Sequence, residues 1–137
     1  MLDQLSGTKS ITEIMEENME VFDLLCIGEY IALELKARQL SKATIIRKSG
    51  INKRFFYDII ACRKTPHRRY IIRIFLALGL SFKDAQWYLK AGDYPQLYAK
   101  NKRDSIIIYC LNKNLSVAEC NTMLNRVGLE NLGFENT

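Results

Sequence analysis

The chain has little of what most catalytic and metal-binding sites require. Its 137 residues include two prolines and a single histidine, His67, and none of its four cysteines is spaced as Cys-x-x-Cys. One histidine cannot form a ligand cluster, and structural zinc sites use close pairs of cysteine or histidine. No paired acids or nucleophile motif stand in their place. The sequence therefore predicts that the protein is not an enzyme and has no metal site and no cofactor.

Long apolar runs are also absent. Residues 70–80 are interrupted by Arg73 and fall short of the roughly 18 residues that cross a bilayer. No basic stretch followed by a continuous apolar stretch opens the chain, so we expect no signal peptide. The sequence predicts a cytoplasmic protein with no membrane segment.

The cysteines lie far apart in the sequence, at Cys26, Cys62, Cys110 and Cys120. Scattered thiols fit a reducing compartment better than a disulfide framework. We therefore expect the four cysteines to be small, partly buried apolar residues.

Charge is distributed unevenly along the chain. The formal net charge is +5, but residues 36–73 carry twelve lysines and arginines and one acid, Asp58. Residues 1–34 carry eight acids and one lysine, and residues 74–137 are almost balanced. A concentrated positive segment binds polyanions, because neutralising phosphates releases condensed counterions. Residues 36–73 therefore predict a nucleic-acid partner.

Helix signals dominate the N-terminal half. No segment alternates polar and apolar residues as a strand does, and the hydrophobic content of 48% is ample for a packed core. Ser10 and Glu13 have the spacing of a capping box, which predicts an acidic helix to about residue 20. A second helix, ending near Arg38, would turn Ile27, Ile31, Leu33 and Leu35 inward.

Signals for three further helices follow. Ser41 can cap a helix over residues 42–49, and Gly50 lies where a helix end prefers a left-handed residue. Asn52 can cap the next helix, whose inward positions would be Phe56, Ile59 and Ile60. Pro66 suits the first turn of another helix that runs to about residue 78.

The C-terminal half contains a candidate repeat with an offset of 35 residues. The offset pairs Arg68 with Arg103, Ile71 with Ile106, Ile72 with Ile107, Leu76 with Leu111, Leu80 with Leu115, Ser81 with Ser116, Leu89 with Leu124 and Leu97 with Leu132. Ser81 and Ser116 each have the pattern of an N-cap, with Asp84 and Glu119 three residues on. Each copy is predicted to be a helix, a short turn and a capped helix, and two copies are too few for a solenoid.

Residues 40–60 carry a recognisable set of features. They comprise a Leu-Ser opening, an apolar pair in the first helix, Ser49-Gly50 at a turn, the cap Asn52 and a basic second helix. Pro66 and the Leu-Gly-Leu-Ser of residues 78–81 follow at suitable distances. Over about residues 27–80 the chain resembles the lambda-repressor-like, Xre-type helix-turn-helix family. Two positions differ from the family pattern, with Lys42 where glutamine is frequent and Cys62 where a glycine usually follows the second motif helix.

The resemblance implies an all-α, five-helix DNA-binding domain over residues 25–94, whose second motif helix enters the major groove. An acidic segment, residues 1–24, would precede it and a C-terminal helical extension, residues 95–137, would follow. Lys42 would contact a phosphate, and Arg63 and Lys64 would reach the DNA backbone. The full set of implied DNA-binding residues is Lys42, Thr44, Asn52, Lys53, Arg54, Phe55, Tyr57, Asp58, Arg63 and Lys64.

Residue chemistry agrees with several of these roles. Arginine is the best bidentate partner of guanine, lysine reaches the same acceptors, and an aromatic face can contact a thymine methyl. Phe55, Phe56 and Tyr57 are consecutive and cannot all be buried on one helix face. Phe55 and Tyr57 would thus face the groove, a protein partner or a neighbouring helix. The later arginines, Arg68, Arg69 and Arg73, would either extend the phosphate footprint or form a solvated face.

These observations predict a sequence-specific transcriptional regulator that binds double-stranded DNA. The family implies a homodimer on inverted half-sites, although the sequence itself shows no dimer interface. The alternative is an adaptor that keeps the repressor-like fold and docks a protein through the aromatic helix and the C-terminal lobe. The positive charge of residues 36–73 would also suit RNA, but the sequence has no recognisable RNA-binding module. The acidic N-terminal helix would cap the fold, dimerise or fold back on the basic face.

Overall fold

The computed structural model describes residues 10–17 and 25–135, and this part of the chain contains eight α-helices and no strand. The predicted all-α class is confirmed. The helices are α1 (Ile11–Glu17), α2 (Ile27–Arg38), α3 (Lys42–Ser49), α4 (Lys53–Ile60), α5 (Arg68–Leu78), α6 (Phe82–Ala91), α7 (Lys102–Asn112) and α8 (Val117–Arg126).

The helix ends follow the capping residues that the sequence predicts. Ser41 accepts a hydrogen bond from the amide of Thr44 at 3.1 Å, and Asn52 accepts from the amides of Arg54 and Phe55 at 3.0 and 3.2 Å. Gly50 ends α3 with φ +69°, a left-handed conformation that glycine adopts without strain. These short polar contacts satisfy amides that a helix terminus leaves without partners.

The start of α5 differs from the prediction. Pro66 lies before the helix, and the N-cap is His67, whose Nδ1 accepts from the amide of Arg69 at 3.4 Å. Pro66 is buried, and its carbonyl accepts a hydrogen bond from the hydroxyl of Tyr94 at 2.5 Å. The imidazole of His67 thus serves as a cap, and the proline fixes the approach of the chain.

One hydrophobic core extends from Ile11 in α1 to Leu132 near the C-terminus. Within it α3 packs against α5 and α2 packs against α4. The predicted inward residues of α2 and α4 are buried except Leu33 and Ile60, which are half-buried.

The described part of the acidic segment is α1, which packs against α2 and α6. Ile14 and Met15 are buried, and the hydroxyl of Thr12 donates to a carboxylate oxygen of Asp84 at 2.7 Å. One face of α1 therefore belongs to the core of the fold. The predicted continuation of this helix to about residue 20 lies outside the described residues.

The helix positions follow the 35-residue offset seen in the sequence. Helices α6 and α8 begin and end 35 residues apart, and α5 and α7 correspond within one residue. Ser81 and Ser116 each accept a hydrogen bond at 3.1 Å from the amide three residues on. Both segments therefore form a pair of helices in which the second helix has the same serine cap.

Hydrogen bonds outside the helices also repeat. Arg68 donates to the carbonyls of Pro95 and Gln96, and Arg103 donates to the carbonyls 27 and 28 residues ahead of it in the same way. The side chain of Gln86 pairs with the backbone of Leu97, and Asn121 accepts from the amide of Leu132. Each hairpin is thus closed by a segment that follows it.

The segment that closes the second hairpin, residues 129–135, is here called the C-terminal strap. It reaches back to the turn between α3 and α4, where the amide of Glu135 donates to the carbonyl of Gly50 at 2.9 Å. Arg73 is fully buried between them and donates from Nε to the carbonyl of Ser49 at 2.9 Å. Its guanidinium also donates to the carbonyl of Leu132 and to both carboxylate oxygens of Glu135.

Both interpretations offered for Arg68 and Arg73 are therefore wrong. Arg68 pairs with Asp104 at 2.7 Å and Arg73 with Glu135 at 2.9 Å, so neither guanidinium forms a solvated face or extends a phosphate footprint. A buried guanidinium must be paired and hydrogen-bonded, and the folded chain supplies both carboxylates from the second half of the sequence.

The strap makes stability sensitive to acid. Hydrogen bonds from Arg73 hold the pKa of the Glu135 carboxyl below its usual range. A carboxyl with a lowered pKa stabilises the fold at neutral pH, and this contribution is lost as the pH falls below about 4.3. We expect the urea midpoint of wild type to fall more steeply over this range than that of Glu135→Gln. A Glu130→Gln variant, altered at an exposed strap residue, should keep the wild-type pH profile.

Candidate nucleic-acid interface

Helix α4 is held against the core by one face. Phe56 and Ile59 are fully buried. Gly28 of α2 lies against the C-terminal end of α4, where a Cβ on the glycine would come within 1.9 Å of the carbonyl oxygen of Ile59. The position of α4 is therefore fixed by backbone contact as well as by side-chain packing.

The opposite face of α4 lines an open depression of about 630 Å³. Its lining residues are Asn52, Lys53, Arg54, Tyr57, Asp58 and Arg63, all of which are among the ten predicted site residues. Lys53 and Arg54 are exposed, and neither makes an ion pair with another described residue. Two unpaired cations thus project from the first turn of a helix, where cations are normally unfavourable.

Lys42 connects the start of α3 to this face. It is exposed, and its Nζ lies 5.4 Å from the ring centroid of Tyr57, a cation–π distance. Tyr57 is 38% exposed, so its ring can contact both Lys42 and a ligand. The arrangement of α3 and α4 therefore brings Lys42 close to the tyrosine at the centre of the exposed face of α4.

Asp58, the single acid of the basic segment, is neutralised locally. Its carboxylate accepts from Nε of Arg63 at 2.9 Å, and the carboxylate is 16% exposed while the arginine is 64% exposed. The pair fixes Arg63 at the C-terminal edge of the depression with most of its guanidinium open to solvent. An anionic ligand would meet the arginine first.

Three predicted residues have other contacts. Phe55 is half-buried and packs edge-on against Tyr70 with ring centroids 5.0 Å apart. Lys64 is exposed, with its Nζ 5.9 Å from the ring centroid of Phe55. Thr44 bonds through its hydroxyl to the capping hydroxyl of Ser41 at 2.9 Å. None of the three lines the depression.

The charge count of residues 36–73 overstates the positive charge available to a ligand. Besides Arg68 and Arg73, Arg38 is engaged internally, since it pairs with the buried carboxylate of Glu34 at 2.8 Å. The spacing of Glu34 and Arg38 by four residues is visible in the sequence. The acidic partners of Arg68 and Arg73 lie more than 30 residues away in the chain, and no local sequence pattern predicts these ion pairs.

Sequence reasoning missed a feature beside this face. Cys26 and Cys62 form a disulfide with their Cα atoms 6.2 Å apart, so the expectation of unpaired cysteines is wrong for this pair. Cys110 and Cys120 are buried thiols, as expected. The pairing was not foreseeable because 36 residues separate the two cysteines, and helices α2 to α4 return the chain between them.

Cys62 also has an unusual backbone conformation. It follows α4 with φ +61°, the left-handed conformation of the glycine that the resembled family usually has here. Glu29 lies nearby, with Oε1 3.9 Å from Sγ of Cys62, and accepts a hydrogen bond from the amide of Cys26 at 3.1 Å. The sulfurs and the carboxylate oxygen all lie within 4.8 Å of one another.

Comparison of the chain with protein-family models, curated proteins and solved structures finds no match. Among the described residues no helix combines the length and apolarity that a transmembrane span requires. The candidate site is therefore characterised by its own geometry. It combines unpaired cations, an exposed aromatic ring and an arginine fixed by a carboxylate, which together can bind phosphates and base edges.

Proposed function

We propose that the protein is a sequence-specific DNA-binding transcriptional regulator that inserts α4 into the major groove. The observation that carries the proposal is the depression on α4, from which Lys53 and Arg54 project without internal ion pairs. Cations at a helix N-terminus are repelled by the helix dipole, and an external polyanion compensates this cost.

Each side chain then has a role that follows from its chemistry. Arg54 donates to the O6 and N7 acceptors of a guanine, and Lys53 reaches the same edge of a neighbouring base. Lys42 and Arg63 flank the helix and contact phosphates, which orient the protein without reading sequence. Tyr57 offers its exposed ring to a thymine methyl.

The burial of aromatic side chains on α4 favours DNA binding over the adaptor function. Phe56 is fully buried and Phe55 packs against Tyr70, so Tyr57 is the only exposed member of the aromatic triplet. A docking helix normally presents several apolar anchors at helical spacing. One partly exposed tyrosine among cations fits a nucleic-acid surface better. The family resemblance adds the expectations of a dimer on inverted half-sites and of a cytoplasmic location.

The proposal predicts different effects for two single substitutions. Arg54→Ala is expected to cost about 1–3 kcal/mol on the preferred duplex and much less on random duplex, because it removes a base contact. Lys42→Ala should weaken both duplexes alike and reduce the slope of log K against log salt by about 0.9, since it removes one phosphate contact. Lys90→Ala, altered at an exposed lysine of α6, should leave both affinities unchanged.

The measurement begins with selection from a randomised duplex pool at about 0.15 M salt. The enriched duplex is then titrated with each variant over a series of salt concentrations. Equal losses from Arg54→Ala and Lys42→Ala on enriched and random duplex would contradict the assigned roles. Failure of the wild type to retain any duplex would contradict DNA binding and favour the adaptor.

A further inference from the structure

The cysteine pair joins two parts of the fold that bear directly on the candidate interface. Cys26 is the N-cap of α2, and Cys62 lies two residues after α4 ends at Ile60. The Cα separation of 6.2 Å is within the range of about 4.4–6.8 Å that disulfides require. Gly28 already packs on the end of α4, so the disulfide restrains the loop that follows an anchored helix.

The loop after Cys62 carries two cations of the proposed DNA surface. Arg63 pairs with Asp58, and its amide donates to the carbonyl of Asp58 at 2.9 Å. Lys64 lies over the ring of Phe55. The disulfide is attached to the residue immediately before Arg63, so it controls where the loop leaves α4.

Both sulfurs belong to accessible residues. Cys62 is exposed and Cys26 is half-buried, in contrast to Cys110 and Cys120, which are buried. Small oxidants and reductants can therefore reach the pair without unfolding of the core. Accessibility is what separates redox-responsive cysteines from inert buried ones.

We propose that Cys26 and Cys62 are a thiol–disulfide switch that sets the DNA affinity of the helix-turn-helix, an inference that rests on the proposed function. In the oxidised form the cross-link ties Cys62 to the start of α2 and keeps Arg63 and Lys64 at the edge of the interface. Reduction removes the restraint, so the loop relaxes and both cations lose their fixed positions.

The chemistry balances with a peroxide as the oxidant. One thiolate attacks hydrogen peroxide, forms a sulfenic acid and releases hydroxide, which takes a proton to become water. The second thiolate attacks that sulfur, the S–S bond forms, and the departing hydroxide becomes the second water. A dithiol reductant reverses the process by thiol–disulfide exchange and is itself oxidised to a disulfide.

The test compares the full chain in both redox states. Protein is treated with hydrogen peroxide or with a dithiol reductant, denatured and alkylated, and the modified cysteines are identified by mass spectrometry. Oxidised protein should be alkylated only at Cys110 and Cys120, and reduced protein at all four cysteines. Affinity for the duplex enriched from the random pool is measured for both forms over a series of salt concentrations.

The oxidised form is expected to bind this duplex on the order of tenfold more tightly, with a salt slope steeper by about 1.8, the value for two phosphate contacts. Cys26→Ser and Cys62→Ser should both give the affinity and slope of the reduced form, whatever the oxidant. Two variants on different elements keep the test valid if one of them folds poorly. A change in salt slope is a readout that a merely structural disulfide would not produce.

Three results would overturn the proposal. The first is equal affinity and slope in the two redox states when alkylation proves that the pair has formed. The second is alkylation of all four cysteines after oxidation. The third is tight Zn²⁺ binding by the reduced wild-type protein that raises its affinity for the duplex to that of the oxidised form. If Cys62→Ser abolished this Zn²⁺ binding, the two thiols and Glu29 would be a metal site.

A failure of the proposed function gives a different pattern. If neither redox form retains any duplex while alkylation shows a normal cycle of the pair, DNA binding is wrong and the switch is overturned with it. If the reduced and oxidised forms bind duplex equally, DNA binding stands and only the switch is wrong.

Discussion

Replacing Arg73 by methionine is expected to lower the free energy of unfolding by about 3–5 kcal/mol. The guanidinium is fully buried and donates to the carbonyls of Ser49 and Leu132 and to Glu135. Methionine fills part of the volume but donates nothing, so two carbonyls lose their partner inside the protein. Each buried polar group left without a hydrogen bond costs about 1–3 kcal/mol.

Loss of the hydrogen bonds of Arg73 should also affect the candidate interface. Arg73 connects the strap to the residue before Gly50, the turn between α3 and α4. We therefore expect Arg73→Met to weaken the proposed DNA binding as well as stability. Urea unfolding, followed by circular dichroism, measures the first effect and duplex titration the second.

Two controls make the origin of this effect clear. Glu135→Gln removes the charge of the partner, which is 48% exposed and screened by water, and should cost less than about 1 kcal/mol. Arg69→Met alters the half-buried arginine four residues earlier, whose guanidinium bonds the hydroxyl of Tyr70, and should also cost little. A cost of Arg73→Met no larger than that of these controls would show that the buried guanidinium is not needed for stability.

Replacing Gly28 by alanine is expected to destabilise the protein by about 3 kcal/mol. The added Cβ would lie 1.9 Å from the carbonyl oxygen of Ile59, 2.8 Å from its carbonyl carbon and 2.9 Å from Cα of Ile60. All three atoms belong to the backbone, so no side-chain rotation relieves the overlap. Helix α2 must move away from α4, and the packing between the two helices is lost.

Local propensity predicts the opposite sign for this substitution. Alanine is better than glycine in a helix interior by about 1 kcal/mol, so an effect of intrahelical origin alone would stabilise the protein. Gly92→Ala is the control, because its added Cβ would approach no atom closer than 3.1 Å, with the carbonyl oxygen of Tyr88 as the nearest backbone atom at 3.2 Å. Stabilisation by Gly28→Ala in urea unfolding would contradict the close approach of α2 and α4.

Gly28→Ala should also change DNA binding if α4 reads the groove. Moving α4 relative to α2 displaces Lys53 and Arg54 relative to Lys42, a proposed phosphate contact on α3. We expect the preference for the enriched duplex over random duplex to fall even at temperatures where the variant is folded. An unchanged preference would show that α4 does not depend on α2 for its placement.

The sequence was most informative where structure depends on neighbours a few residues apart. Ser41, Asn52, Ser81 and Ser116 marked helix starts correctly, because a cap acts over three residues. The apolar spacing of α4 also identified Phe56 and Ile59 as buried. The predicted first residue of α5 was wrong because His67 supplies the cap and Pro66 lies before the helix.

The candidate site was only partly legible. The family resemblance implied Lys53, Arg54, Phe55, Tyr57 and Asp58 as DNA-binding residues of this helix, and all of them except Phe55 line the depression on α4. Spacing could not tell whether Phe55 would turn toward a ligand or toward Tyr70. The orientation of the Phe55 side chain depends on where α5 packs, and no local sequence pattern indicates that position.

The sequence by itself determined the all-helical class, the caps and the positive charge of residues 36–73. Each of these follows from local periodicity or from composition, which do not require knowledge of how helices pack. Only the tertiary structure decided which cations remain available, since Asp104 and Glu135 neutralise arginines more than 30 residues away. It also decided that Cys26 pairs with Cys62 and that the backbone of α4 packs directly on Gly28, because both depend on the close packing of segments distant in the chain.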